Sequence, residues 1–371
     1  MKKNIIIVVS AMNLGGAQRV VSILCNHWIN NGHKVTLIST FTGRKQNHYI
    51  VSDRVRLLSL KNSSSFANSK ILKLPLKVMQ LRRLIKRENP DLVISFLTRI
   101  NLATTISTIG LKIPLIISER IWTPFATLNP NLFWLYRLIF KKVKKAVVQT
   151  EKSMIWLKFY FPDLDAEVIP NPVLYPIPLQ QGMMLKPKTF ISSKRKLILA
   201  CGRLHKSKQF DLLIKSFAQV QKDFVDWDLA ILGEGEEKKR LERLIHDMDC
   251  KSRVFLPGAM GNMSEWYGRA DVFVLSSIVE GFPNVLLEAM SYGLPCLSFD
   301  CDTGPGEIIQ DGLNGVLIDP EEKILGLSKA LKKVLGDQLF RKQIAKNALQ
   351  VRSKYSVNKI MERWDKILEI K

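Results

Sequence analysis

Paired cysteines, long apolar runs and, in its first half, acidic side chains are what this 371-residue sequence lacks. Its five cysteines, Cys25, Cys201, Cys250, Cys296 and Cys301, are odd in number and scattered, without the close pairs of a disulfide scaffold or a zinc site. Buried thiols are expected, and no zinc. The longest apolar runs, such as Ile5–Val9, stop far short of the roughly 20 residues of a membrane-spanning helix. Lys2 and Lys3 precede that run, but no small-residue cleavage site follows it, so it reads as a first strand and the chain as cytoplasmic by default. Hydrophobic residues at 46% and charged residues at 24% exclude long disordered or collagen-like stretches, and the length suggests two domains with separate cores.

The shortage of acid is local. Residues 1–190 hold 28 Lys and Arg against 8 Asp and Glu, whereas residues 191–371 hold 28 against 25, which together make the net charge of +23. Screening confines surface electrostatics to about 10 Å, so a field this one-sided acts on something that docks on the first half. Nucleic acid, an anionic membrane face and an anionic substrate all fit.

Asn4 to Ser10 is rich in Ile and Val, as a strand buried on both faces of a parallel sheet should be. Gly15 and Gly16 follow. An amphipathic segment then runs from Ala17 to Asn30, stops at Asn31 and Gly32, and leads into a second strand over Lys34 to Thr40. Strand, glycine turn, helix and strand make a βαβ unit and so an open parallel sheet. Further strands are expected at Leu92 to Phe96, Leu115 to Ser118, Ala146 to Gln149 and Glu167 to Ile169. Asn171 to Lys196, with Pro172, Pro176, Pro178 and Pro187, reads as a linker. The alternation restarts at Leu197 to Cys201 and continues to Pro295 to Phe299. The expected organisation is therefore a Rossmann-like domain over 1–175, a second over 190–355, and a C-terminal helix, residues 356–371, returning to the first.

Chemistry concentrates at the strand ends. Glu280 and Glu288 bracket a turn, Gly281-Phe282-Pro283-Asn284, that opens a helix, and Pro283 suits a first helical turn. Amides at such a helix start face any anion placed there. Glu288, one turn in, could accept from a ribose, and Glu280 would sit near a sugar. Taken alone, the same pair is more often two solvated carboxylates flanking a turn. After the strand at Leu197 to Cys201 come Gly202, Arg203, Leu204, Lys206 and Lys208. Two cations in a βα loop, Arg203 and Lys208, can hold a diphosphate and stabilise the charge that grows on it as a bond to it breaks, although basic loops are commonly just solvated. Gly233-Glu234-Gly235 and Gly304-Pro305-Gly306-Glu307 add two more close-approach turns.

In order and spacing, Gly15-Gly16-Ala17-Gln18-Arg19-Val20, Ile169-Pro170-Asn171-Pro172, Gly202-Arg203-Leu204 with Lys208, Leu232-Gly233-Glu234-Gly235, and Glu280-Gly281-Phe282-Pro283-Asn284 leading to Glu288 resemble the motif set of retaining glycosyltransferase family four. Ile117-Ser118-Glu119-Arg120 and Thr303-Gly304-Pro305-Gly306-Glu307 are similar to enzymes that extend bacterial lipid-linked oligosaccharides and exopolysaccharides, the amylovoran type included. The resemblance implies an α/β, GT-B fold: two facing Rossmann-like domains with parallel sheets and a deep interdomain cleft, the first binding acceptor and the second nucleotide sugar. It implies that Arg203 and Lys208 bind the donor diphosphate and Glu288 the ribose. Glu280, with the amides of Phe282, Asn284 and Val285, would hold the donor sugar and phosphate region, with Glu234 also on the donor side. Gly16 would let the first loop approach the diphosphate. Glu280, Arg203 and Lys208 carry the catalytic roles. No metal or other cofactor is implied, and Asp300-Cys301-Asp302, the one Asp-x-Asp spacing, reads as a loop. Many relatives carry His near Glu119-Arg120, and Arg120 here is expected to contact an anionic acceptor or the sugar, beside Glu119.

The expected activity is transfer of a hexose or N-acetylhexosamine from a UDP-sugar to an undecaprenyl-diphosphate-linked saccharide. Two basic, apolar segments, Lys70 to Arg87 and Phe133 to Lys145, suit an anionic bilayer surface, which implies peripheral association with the inner face of the cell membrane; either segment also reads as an ordinary packing helix. A UDP-sugar epimerase of the same fold and a basic nucleic-acid-binding protein are the competing readings. The latter lacks any helix-turn-helix, zinc or RNA-recognition signature.

Overall fold

A computed structural model describes residues 1–12, 15–40, 49–60, 70–121, 133–180 and 182–369, with the side chains of 70–74 excepted. The chain divides into two compact units, Met1–Asn171 with Asn358–Lys371, and Pro172–Val357.

Unit 1 runs β1 (Asn4–Val9), α1 (Gly16–Asn30), β2 (Lys34–Ser39), β3 (Arg56–Ser59), α2 (Lys70–Glu88), β4 (Leu92–Phe96), α3 (Thr98–Thr108), β5 (Leu115–Ser118), α4 (Phe133–Phe140), β6 (Lys145–Val148), α5 (Glu151–Tyr160) and β7 (Ala166–Val168). The seven strands form one sheet in the order β3-β2-β1-β4-β5-β6-β7, every pair parallel. Ile5, Ile6, Ile7 and Val8 are wholly buried, because helices cover both faces of the sheet. β3 escapes the sequence reading: it is a four-residue edge strand, and only an edge strand can leave Arg56 and Leu57 exposed. Helix α2 continues through Pro75, which sits near its start, where a missing N–H costs at most one bond of the ladder.

Unit 2 contains β8 (Lys196–Cys201), α6 (Phe210–Val220), β9 (Trp227–Leu232), α7 (Lys238–Asp247), β10 (Val254–Gly258), α8 (Met263–Arg269), β11 (Val272–Leu275), α9 (Asn284–Ser291), β12 (Cys296–Phe299), α10 (Pro305–Ile308), β13 (Val316–Ile318), α11 (Lys323–Gly336), α12 (Gln338–Ala348) and α13 (Val351–Lys354). Its six parallel strands are ordered β10-β9-β8-β11-β12-β13. Side chains alternate across this sheet as the pleat demands: Ile198, Ala200, Leu229 and Ile231 join one core, Leu197, Leu199, Ala230 and Leu232 the other. All five cysteines are buried thiols, with no disulfide among the described residues.

Residues 172–195 correct the expectation of a linker. Ile177 and Ile191 are buried in the unit 2 core, and the Leu185 carbonyl accepts from Trp266 Nε1 at 3.1 Å and from Asn262 Nδ2 at 3.2 Å. The four prolines leave this segment without a strand or α-helix, a single 3-10 turn at Pro187–Thr189 excepted, without preventing packing. The last helix, α14 (Val357–Leu368), belongs largely to unit 1. Trp364 packs edge-on against Trp28 and tilted against Phe96, while Asp365 accepts from Trp28 Nε1 at 2.9 Å and pairs with His27 at 2.9 Å.

Candidate active site

In unit 2, β8 connects first to β9 on one side, and β11 then pairs on the other side of β8, so the strand order reverses between β8 and β11. Open α/β sheets bind ligands at the carboxyl ends of the strands flanking such a reversal. The loops after β8 and β11 are the ones that carry Arg203, Lys208 and Glu280, and they are joined there. The Ile278 amide donates to the Ser207 carbonyl at 3.0 Å, and Ser276 Oγ donates to the Lys208 carbonyl at 2.7 Å. Lys208 Nζ meets Glu280 Oε1 at 2.5 Å, with both side chains largely covered. Directly after Lys208, Gln209 adopts a left-handed backbone (φ 46°, ψ 40°) that turns the chain into α6. Arg203, by contrast, is exposed and has no side-chain partner among the described residues.

The β9 loop sets the shape of the β8 loop. The Gly202 amide donates to the Leu232 carbonyl and the Leu204 amide to the Glu234 carbonyl, each at 2.9 Å, so the two loops run zipped together. Two glycines make that approach possible: a Cβ on Gly233 would stand 1.9 Å from the Gly202 oxygen, and one on Gly235 would stand 2.2 Å from the Leu204 oxygen. Glu234 lies between them, exposed, with Lys238 Nζ at 3.4 Å. On the other flank, Thr303 Oγ1 donates to the Glu280 carbonyl at 2.5 Å, tying the β12 loop to the Glu280 loop. Phe282 is buried against Tyr355, rings 5.5 Å apart, and Asn284 and Val285 open α9. Glu288, expected to accept from a ribose, is only 4% exposed and accepts from the Tyr267 hydroxyl at 3.0 Å.

Six of the sequence-derived residues thus gather at one end of the unit 2 sheet: Arg203, Lys208, Glu280 and the Phe282, Asn284 and Val285 stretch. Glu234 flanks them and Glu288 lies beneath. Ser276, Tyr267 and Gln209, which hold this framework, were missed, and Thr303 was singled out only as part of a motif. Only the left-handed Gln209, at the junction of a basic loop and a helix, lacks any sequence cue; the serine and threonine follow strands, where polar residues serve loops.

Gly16, Glu119 and Arg120 are in unit 1. Gly16 opens α1; Asn13 and Leu14 before it lie outside the described residues. Glu119 is buried, accepting from Thr98 Oγ1 and Asn101 Nδ2, both at 2.7 Å. Burial pushes its carboxyl up to about 7, against the opposing effects of those two hydrogen bonds and of Arg120. Arg120 is buried too, and burial lowers its guanidinium to about 9 while Glu119 raises it. Its Nη1 donates to Asn171 Oδ1 at 3.1 Å, and its plane lies 5.3 Å from the Phe96 ring and 5.4 Å from the Trp364 ring. Both side chains are closed off from the surface of their unit, with Arg120 Nε and Nη2 buried and without a hydrogen-bond partner among the described residues. That corrects the expectation that they contact an acceptor, because the Trp364 ring covers what the sequence leaves open.

The folded state holds a proton on Glu119 that an unfolded chain, at the ordinary value of 4.5, has released. Glu119 therefore contributes stability that is full below about 4.5 and is lost as the pH rises through about 7. Glu119→Gln, which keeps the neutral form, should gain melting temperature relative to wild type between pH 5 and pH 8. An unchanged difference between the two proteins at both pH values would refute this.

Residues 184–351 match the family model for Glycosyl transferases group 1, and residues 14–173 match that for Glycosyltransferase Family 4. The sequence is 28% identical, over 97% of this chain and 97% of the relative, to the GalNAc-alpha-(1->4)-GalNAc-alpha-(1->3)-diNAcBac-PP-undecaprenol alpha-1,4-N-acetyl-D-galactosaminyltransferase of Campylobacter jejuni. It is also 28% identical, over 99% of this chain and 100% of the relative, to the amylovoran biosynthesis glycosyltransferase AmsD of Erwinia amylovora. Among solved structures, Anabaena HepE in complex with UDP superposes with a TM-score of 0.79 at 16% identity, covering 99% of each chain.

Proposed function

The chain belongs to the glycosyltransferases of group 1 and family 4, with a GT-B architecture, and from that premise we propose that it moves a hexose or N-acetylhexosamine from a UDP-sugar to an undecaprenyl-diphosphate-linked saccharide, with retention at the anomeric carbon. The relatives named for transfer to PP-undecaprenol and for amylovoran biosynthesis support a lipid-linked acceptor, and the UDP in HepE supports the donor. The observation that carries the reading is the Lys208–Glu280 pair at the β8/β11 reversal, in a loop shared with the exposed Arg203.

The chemistry follows from the charges. As the bond between the sugar C1 and the β-phosphate oxygen breaks, negative charge develops on the UDP diphosphate. Arg203 and Lys208 supply two positive charges there, and the start of α9 supplies amide dipoles. The acceptor hydroxyl forms the new bond to C1 on the face the diphosphate leaves, and its proton passes to the departing β-phosphate oxygen. Glu280 pairs with the Lys208 ammonium. A diphosphate would share that ammonium and leave the carboxylate facing the sugar. Gly16 would admit the diphosphate from the first domain, and Glu288, once presented, would accept from the ribose. The two cations take the charge-neutralising role a divalent ion has elsewhere, so metal-independent transfer is proposed.

A panel of UDP-sugars assayed by UDP release with a lipid-linked acceptor tests this. One sugar should give release that depends on the acceptor and survives EDTA. Equal release without acceptor, or its abolition by the chelator, would overturn the reading. Among the described residues no helix is long and apolar enough to cross a membrane, and we place the enzyme at the cytoplasmic membrane face through its acceptor.

A further inference from the structure

Helices α4 and α5 of unit 1 leave an apolar face uncovered. Trp134 and Leu138 on α4 are 61% and 53% exposed, and Ile155 and Phe159 on α5 are 69% and 78% exposed. Within each helix the two residues are four apart, so each contributes one stripe to the same surface. An open groove of about 420 Å³ lies between them, lined by Phe133, Trp134, Arg137, Leu138, Phe159 and Tyr160. Its base is built of aromatic rings. Phe133 stacks on Tyr160 at 4.6 Å and packs edge-on against Trp156 at 6.2 Å and Phe161 at 6.1 Å. The exposed side chains therefore project from a rigid floor.

Arg137 lines the groove, and three lysines follow α4 directly in the chain. Arg137, Lys141, Lys142 and Lys144 are exposed and have no side-chain partner among the described residues. Lys158 and Lys145 differ: the first donates to the Leu164 carbonyl at 2.7 Å, the second pairs with Asp165 and Glu167, each at 3.4 Å. The other basic segment, α2, is more fully used by the fold. Leu81 and Ile85 are buried, Lys77 donates to the Thr40 carbonyl, and Arg82 donates to the carbonyls of Ser107 and Ile109. Contiguous exposed apolar surface on a folded unit marks an interaction site. Projecting Ile and Phe gain nothing from a nucleic acid backbone, whereas an apolar stripe with cations on and after α4 complements a bilayer with anionic headgroups.

We propose that the α4–α5 face is a membrane-docking surface. Trp134, Leu138, Ile155 and Phe159 enter the headgroup–acyl boundary of a bilayer containing anionic phospholipid, and Arg137, Lys141, Lys142 and Lys144 lie against its phosphates. This rests on the reading of the chain as an enzyme with a membrane-borne acceptor, and it names the surface that brings it there.

Cosedimentation of the full chain with vesicles of phosphatidylcholine, with or without about one third phosphatidylglycerol, tests it. Wild type should pellet with the anionic vesicles and far less with the neutral ones. Trp134→Ser with Phe159→Ser should lower partitioning about tenfold or more, with an unchanged circular dichroism spectrum because both positions are exposed. Lys141→Glu with Lys142→Glu should lower it at low salt, and the difference should fade at high salt. Wild-type partitioning of the Trp134→Ser, Phe159→Ser variant overturns the proposal. So does equal binding to neutral vesicles, or a wild-type dimer that this variant dissolves on gel filtration, which would make the face a contact between copies. Transfer to a short-chain, water-soluble acceptor separates the two readings: activity there without vesicle binding sinks the docking surface alone. Vesicle binding without transfer to any acceptor sinks the enzymatic reading alone.

Discussion

Arg203→Ala combined with Lys208→Ala is expected to lower turnover by about 10³-fold or more, with the fold intact by circular dichroism. Each side chain places a positive charge where the leaving diphosphate gains negative charge, and removing one such donor commonly costs about 10²–10³ in rate. The single variants should differ in a way the geometry explains. Arg203 is exposed and has no side-chain partner among the described residues, so Arg203→Ala removes a donor and disturbs none of their contacts. Lys208→Ala also leaves the Glu280 carboxylate, whose side chain is only 12% exposed, without its cation, and that charge then repels the incoming diphosphate. Lys208→Ala should therefore be the more severe, in KM for the donor as well as in kcat. Adding Glu280→Gln to Lys208→Ala should recover part of the lost donor binding, measured by calorimetry with UDP. Wild-type kcat in the Arg203→Ala, Lys208→Ala protein would end the diphosphate assignment.

Gly233→Ala should be the most damaging single methyl group in unit 2. The backbone there sits at φ 144°, and the new Cβ would meet the Gly202 carbonyl oxygen at 1.9 Å and its carbon at 2.9 Å. Those are main-chain atoms of the neighbouring loop, so relief requires separating the β9 loop from the β8 loop. The Gly202 N to Leu232 O and Gly233 N to Gly258 O bonds, both 2.9 Å, would break with it. A cost of roughly 3 kcal/mol or more follows, which for a unit of this size lowers the melting temperature by about 6–12 °C. Arg203 would lose its support at the same time. Gly268→Ala is the control: it lies in α8, a Cβ there meets nothing within 4 Å, and the replacement should be neutral or stabilise by about 0.5–1 kcal/mol. Thermal unfolding followed by far-UV circular dichroism checks both. A Gly233→Ala midpoint equal to that of wild type would show that the loops are not held as described.

Strands buried on both faces were legible because burial dictates their composition. Ile5 to Val8, Leu92 to Phe96 and Leu115 to Ser118 are apolar at nearly every position and are strands at those positions. The edge strand Arg56–Ser59 was not legible, since it buries too little to mark its sequence, and Val316–Ile318, though buried, is only three residues long, too short to show a period. The proline-rich residues 172–195 misled for the converse reason: proline removes backbone donors, which looks like a linker, yet Ile177, Ile191 and side chains from α8 bind the segment to unit 2.

By itself the sequence determined which chemistry stands after which strand: two cations after β8, a carboxylate and a helix start after β11, a glycine pair after β9. These are local facts, because loop residues follow their strands whatever the strands pair with. The tertiary structure alone decided that Lys208 touches Glu280, since strands distant in sequence become neighbours only through the order of the sheet. It alone decided that Arg120 faces inward, because the ring that covers it, Trp364, comes from the far end of the chain. Burial is a property of what packs on a residue, and that is written elsewhere in the sequence.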